Sequence, residues 1–273
     1  MSSHLVHVRE LIGWGLDDYE YRPQPFEHAR LRQAAHLVAL RPPYEQSEAV
    51  LAPATAKLSE MFAVHAERAD LLAEMSGLSW SLGIVDLRSL IAFQRRLSFH
   101  PKIPQVPVPA AQDWAALLSL SFATARSIEC EATHDPSNRT LVLRSSNTTL
   151  HFRVTNDPCS PLSMHTGGPF FEVACFRGRW FLRDGYHRAY ALLNAEVFEI
   201  PAVIVHATTI EELGATQPWF FPEEVLFSRT PPRVVDFLTR DLVFEYDRPP
   251  LVKTLRITME ESLTPSTLIG NQT

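Results

Sequence analysis

Two β-rich runs bracket a helical pattern between Phe170 and Ala207 (FFEVACFRGRWFLRDGYHRAYALLNAEVFEIPAVIVHA), and the turn residues among them leave few ways to connect the pieces. The alternating run FFEVACF and the run Trp180-Phe181-Leu182 predict two strands joined at Arg177-Gly178. The second strand runs straight into the turn pair Asp184-Gly185, and a helical pattern starts at once. Ala189, Leu192 and Leu193 give that helix an apolar side, and Pro201 then admits a new strand, IPAVIV, rather than a longer helix. The predicted order is hairpin, tight turn, helix, strand. The polar residues Asp184, Tyr186, His187 and Arg188 fall at the helix start, where unpaired N–H groups and the helix dipole favour an anion.

A phosphate is the anion these residue types suit. Gly185 lets the backbone approach without a Cβ clash, and the N–H groups of Tyr186, His187 and Arg188 are the donors. Arg188 can make two charged hydrogen bonds to one phosphate, and His187 can donate to phosphate or move a proton near neutral pH. Asp184 is a candidate Mg²⁺ ligand or catalytic base, and equally a cap for the helix. Just upstream, Gly167 and Gly168 bring backbone N–H groups within reach of a phosphate, although a plain turn before a strand explains them too. A D-G turn before a charged helix start also occurs with no ligand at all.

Around this element the pattern is mixed. Leu5, Val6, Val8, Leu11 and Ile12 allow a short helix that Gly13 and Gly15 break. Residues 26–40 and 54–75 predict two further helices, the second amphipathic through Leu58, Met61, Phe62, Leu71 and Leu72 and closed by Gly77. Leu82 to Leu87 predict a strand. Ser89 to Leu97 predict a helix whose Gln94, Arg95 and Arg96 form a solvated basic face. Proline-rich residues 101–109 read as an extended crossing, 114–125 as a buried helix, and 128–154 as a three-stranded meander. Residues 156–169 are loop by composition, 208–214 a short capped helix, 231–242 a helix, and 251–259 a last strand.

The run Asp184-Gly185-Tyr186-His187-Arg188-Ala189-Tyr190-Ala191 resembles the D-G-x-H-R-x-x-A motif of the ParB/sulfiredoxin-like superfamily. Pro169 to Val173 is similar to that fold's "P-I-x-V" strand, and IPAVIV to its closing strand; the resemblance covers some forty residues. It implies an α+β chain, with an N-terminal helical region over 1–77 and a ParB/sulfiredoxin-like domain over 78–273. That domain is a small mixed sheet with helices, carrying an insertion at about 101–156. It also implies a nucleoside triphosphate, ATP or CTP, with Mg²⁺ at the turn, and nucleotide hydrolysis or phosphoryl transfer. Site residues by resemblance are Gly185, Tyr186, His187 and Arg188. Gln94, Arg95 and Arg96 become possible second contributors, and Asp86, Glu172 and Asp184 are carboxylates of the right type. Tyr186 stands where sulfiredoxins carry their reactive cysteine, so the resemblance does not extend to that chemistry.

Bulk properties narrow the partners. With 273 residues and 45% apolar content, the chain is long enough for one large domain or two small ones. The absence of a membrane-span run or a signal pattern predicts a cytoplasmic protein that does not meet membrane. The net charge of −6 disfavours nucleic acid as a partner and leaves a phosphorylated small molecule. Cys130, Cys159 and Cys175 are too few for a disulfide framework or a zinc site. The alternatives are a non-catalytic regulatory module of the same fold and a nucleic-acid-associated protein of the partition type.

Overall fold

A computed structural model describes residues 5–25, 27–45, 49–51, 56–101, 105–124, 129–147, 150–154, 162–165 and 168–263. In chain order the elements are β1 (Val6–Leu11), α1 (His28–Ala39), β2 (Val50–Leu51), α2 (Ala56–Ala66), α3 (Ala69–Glu74), β3 (Trp80–Asp86), β4 (Ile91–Ala92), β5 (Arg96–Phe99) and α4 (Trp114–Ser121). Four strands follow, β6 (Glu131–Asp135), β7 (Thr140–Ser145), β8 (His151–Val154) and β9 (Leu162–His165). Then come β10 (Glu172–Phe176), β11 (Arg179–Asp184), α5 (Tyr186–Asn194), β12 (Glu199–His206), α6 (Ile210–Leu213), α7 (Glu223–Leu226), β13 (Val243–Arg248) and β14 (Lys253–Thr258). The architecture is mixed α and β with several sheets. No helix among the described residues is long and apolar enough to cross a membrane.

The chain divides into two compact units, one of residues 1–126 with 168–250 and one of residues 127–167 with 251–273. Residues 1–77, expected to stand apart as a helical region, therefore share a unit with the central element. In the smaller unit β7 pairs antiparallel with β6 and with β14, and β8 pairs with β9. The expected three-stranded meander is thus not one sheet, because its third strand turns away to pair with part of the segment expected to be loop.

In the larger unit, a six-stranded sheet runs β2-β3-β12-β10-β11-β4, with β10 parallel to β12 and β11 parallel to β4. The hairpin, helix and final strand of the central element form at the expected places. Arg177 and Gly178 both have positive φ (49° and 73°), as a two-residue type I′ hairpin turn requires. β12 is buried over Ile200–Val205, as a strand flanked on both sides must be. Pro201 is tolerated there because pairing with β10 begins only at Val203. Phe93, Phe170, Phe171, Phe181, Phe221 and Phe237 are fully buried in the core over this sheet.

Four local expectations are corrected. The opening segment is a strand, β1, because Val6, Val8 and Glu10 alternate to one buried face and its backbone pairs with both β13 and β5. The helix expected over 54–75 breaks at Arg68 (ψ 127°), whose guanidinium reaches the carbonyls of Phe122 and Ala123. The helix expected over 89–97 is absent: a single 3₁₀ turn, Leu87–Ser89, precedes β4 and β5, and Arg95 is buried. The helix expected over 231–242 is two 3₁₀ turns, Val234–Leu238 and Arg240–Leu242.

A second sheet, β13-β1-β5, carries a charged core. The carboxylate of Glu10 is 1% exposed and accepts from Arg22 Nε (3.0 Å) and NH2 (2.7 Å), Arg96 Nε (3.0 Å) and the Tyr246 hydroxyl (3.0 Å). These four donors compensate its burial and pin residues 14–25 over the sheet. Glu10→Ala removes the buried carboxylate that Arg22 and Arg96 share and leaves both guanidinium groups on Asp17. It is expected to lower stability by about 3–5 kcal/mol in urea unfolding.

Candidate functional site

The pairing of β10 with β11 is irregular between Glu172 and Val173: Glu172 opposes Asp184, while Val173 opposes Leu182. This bulge spends Arg183 as an extra residue, and so lets both Arg183 and Asp184 reach Glu172. Arg183 NH1 donates to Glu172 Oε2 at 2.6 Å. Gly168 packs against both acids; a Cβ there would lie 3.1 Å from Glu172 Oε1 and 3.9 Å from Asp184 Oδ2. The Glu172 side chain is 5% exposed, whereas Asp184 keeps 35%. Burial pushes Glu172 up to about 7, reinforced by the neighbouring Asp184 and Glu74 and opposed by Arg183. Asp184 is raised as well, by burial against the pull of Arg188 and of the Gly185 and Gly168 N–H groups. Neighbouring carboxylates with raised pKa values occur both at acid–base sites and in structural ion-pair networks.

The start of α5 lies directly beyond Asp184. Gly185 has φ +100°, and a Cβ on it would sit 2.5 Å from the Phe171 ring, so only glycine fits this turn. Asp184 does not cap the helix in the usual way. Its carboxylate accepts the N–H of Gly185, and Gly168 spends its own N–H on the same carboxylate rather than offering it outward. Tyr186 faces inward: its hydroxyl donates to the Leu182 carbonyl (2.9 Å) and accepts the N–H groups of Phe93 (3.0 Å) and Gln94 (3.3 Å). His187 is exposed; its Nε2 meets the Ser98 carbonyl at 3.0 Å and its ring lies edge-on to Phe99. Arg188 donates to the carbonyls of Leu120 (3.1 Å), Pro169 (2.7 Å) and Phe170 (2.6 Å) and stands 3.9 Å from Asp184 Oδ1.

The expected site residues therefore divide. Asp184, Gly185, Arg188 and Gly168 converge with Glu172, while Tyr186 and His187 turn to other parts of the core and surface. Gly167 lies outside the described residues. Asp86 is away from this cluster, opposite Glu199 and bound to Arg88. Gln94 gives its N–H to Tyr186, Arg95 stacks on Phe221, and Arg96 joins the Glu10 cluster, so none of the three is a solvated face. Sequence reasoning placed Glu172 among the carboxylates by type alone and missed Arg183 and Glu74. A bulge leaves no mark in the alternating pattern that would have shown them. Among the described residues no group of three or more His, Cys, Asp or Glu side chains could hold a metal ion. A Mg²⁺ here would take one or two carboxylates plus ligand phosphates.

The Glu172 carboxyl stays protonated in the folded chain to about pH 7, against 4.5 for an ordinary glutamate. Between those values the native state binds more protons than the unfolded one, so stability falls as pH rises through this window and levels off above it. The drop is up to about 3 kcal/mol. Unfolding midpoints at pH 4.5, 6 and 8 check it, and Glu172→Gln should remove most of the slope. Gly185→Ala should cost about 1–3 kcal/mol from the backbone alone, beyond the clash with Phe171. Compared with protein-family models, curated proteins and solved structures, the chain matches none.

Proposed function

We propose that this chain binds a nucleotide or another phosphorylated small molecule at the Asp184–Arg188 turn, on a ParB/sulfiredoxin-like arrangement, and hydrolyses it or transfers its phosphoryl group. The observation that carries the reading is the pairing of Glu172 with Asp184 beside Gly168, at the N-terminal end of α5. Asp184, with part of its carboxylate open to solvent, is the residue to hold Mg²⁺; the ion would neutralise charge on the phosphate oxygens. Glu172, half-ionised near neutral pH, holds or releases the proton of an attacking hydroxyl or water. Arg183 keeps Glu172 oriented, and the positive end of α5 favours the anion.

A second reading, a binding module without catalysis, is favoured by one contact set. Arg188 already serves three backbone carbonyls, so its charge is committed to holding the chain. Calorimetric titration with ATP, CTP and GTP, each with Mg²⁺, separates the two when followed by assay of phosphate release. The expected outcome is binding by at least one nucleotide, with turnover that Glu172→Gln abolishes while leaving affinity within a few-fold. Binding without turnover supports the module, and binding of none of the three overturns a nucleotide as the ligand in either reading.

A further inference from the structure

The charged core under β1 holds more positive than negative charge. Arg22, Arg95, Arg96 and Arg248 are all buried or nearly so, and they face two carboxylates, Glu10 and Asp17. Both acids are already taken by Arg22 and Arg96. Among the described residues the acceptors of Arg95 and Arg248 are neutral: Gly15 O (3.1 Å) and Phe220 O (3.4 Å) for the first, Pro249 O (2.8 Å) and Ser98 Oγ (3.3 Å) for the second, which also has the Tyr19 hydroxyl beside it. The surplus is two positive charges. Arg248 is 6% exposed, and among the described residues its Nε has no acceptor. A buried guanidinium with an idle donor costs free energy unless an anion completes it.

Two hydroxyl groups stand beside Arg248. The Tyr19 hydroxyl lies beside Arg248, and Arg96 stacks 4.0 Å over the Tyr19 ring. Ser98 Oγ accepts from Arg248 and so keeps its own hydrogen to donate, and the Tyr19 hydroxyl beside them is a second donor. Nearby acids are otherwise engaged or outward: Glu20 with the Tyr21 hydroxyl, Asp247 with His7, and Asp18 exposed. Tyr21, 42% exposed, packs edge-on against Tyr19 with 5.5 Å between ring centroids, so this end of the cluster adjoins solvent.

We propose that a doubly charged oxyanion, inorganic phosphate or the phosphate end of a phosphomonoester, binds at Arg248 with Tyr19 and Ser98. The forked guanidinium supplies charge and two-point geometry, and the two hydroxyls supply the remaining donors. The site adjoins the Asp184–Arg188 turn where His187 meets the Ser98 carbonyl (3.0 Å), uses none of the same side chains, and does not depend on the function proposed there.

Thermal unfolding of the full chain tests it, with inorganic phosphate or glycerol phosphate titrated against chloride at matched ionic strength. The expected result is a saturable rise in Tm for the native chain and for Arg188→Ala. Arg248→Gln should weaken the apparent affinity more than tenfold, and Tyr19→Phe several-fold. Earlier saturation by glycerol phosphate assigns the ester; earlier saturation by inorganic phosphate assigns the free ion. Equal effects of phosphate and chloride overturn the proposal. So does a rise of unchanged size in Arg248→Gln, which is a general salting effect, or a rise lost only in Arg188→Ala. If Arg248→Gln does not fold, an unweakened response in Tyr19→Phe overturns it alone.

Discussion

The guanidinium of Arg188 meets the carbonyl oxygens of Leu120, Pro169 and Phe170, acceptors from two stretches of chain some fifty residues apart in sequence. Through it the first turn of α5 is tied to the end of α4 and to the chain leading into β10. The same device recurs. Arg179 reaches the carbonyls of Leu226, Phe227 and Ser228 where α7 ends, and Arg68 those of Phe122 and Ala123 where α4 ends. A chain with 21 prolines and many short helices leaves carbonyls that no ladder satisfies, and buried ones must find donors. Arginine suits the task because its five donors stay charged at any ordinary pH and spread over several acceptors at once.

Two buried acids show how the donors around a carboxylate differ with its surroundings. Glu10 receives four donors from two arginines and a tyrosine, which occupy its lone pairs and hold it as a fixed anchor. Glu172 receives one charged donor, Arg183, while Asp184 and Glu74 press negative charge upon it. Burial and the two neighbouring acids leave the two ionisation states of Glu172 close in energy near neutral pH. The difference lies in the count of donors around each acid, not in the acids themselves.

Much of the central element was legible because its signals are local. Turn pairs at Arg177-Gly178 and Asp184-Gly185, and apolar periodicity in the helix, need no distant partner to act. Errors fell where distant pairing overrode local pattern. Residues 5–12 tolerate a helix but become a strand because β13 and β5 supply ladder partners, and residues 89–97 lose their helical pattern to two edge strands. The basic run Gln94-Arg95-Arg96 looks solvated in isolation and is instead enclosed by acids and aromatic rings contributed from far along the chain.

Local chemistry by itself determined the hairpin, the glycine turn, the helix and the strand that follow one another from Phe170 to Ala207, together with the identity of the polar residues at the helix start. Each depends on backbone preferences of a few adjacent residues. Only the tertiary structure decided what those polar residues face. The bulge at Arg183 brought Glu172 against Asp184, Gly168 closed over them, and carbonyls from α4 claimed Arg188. Donor counts, burial and charge spacing arise between segments distant in sequence, and those quantities set whether a side chain binds, titrates or simply holds the chain together.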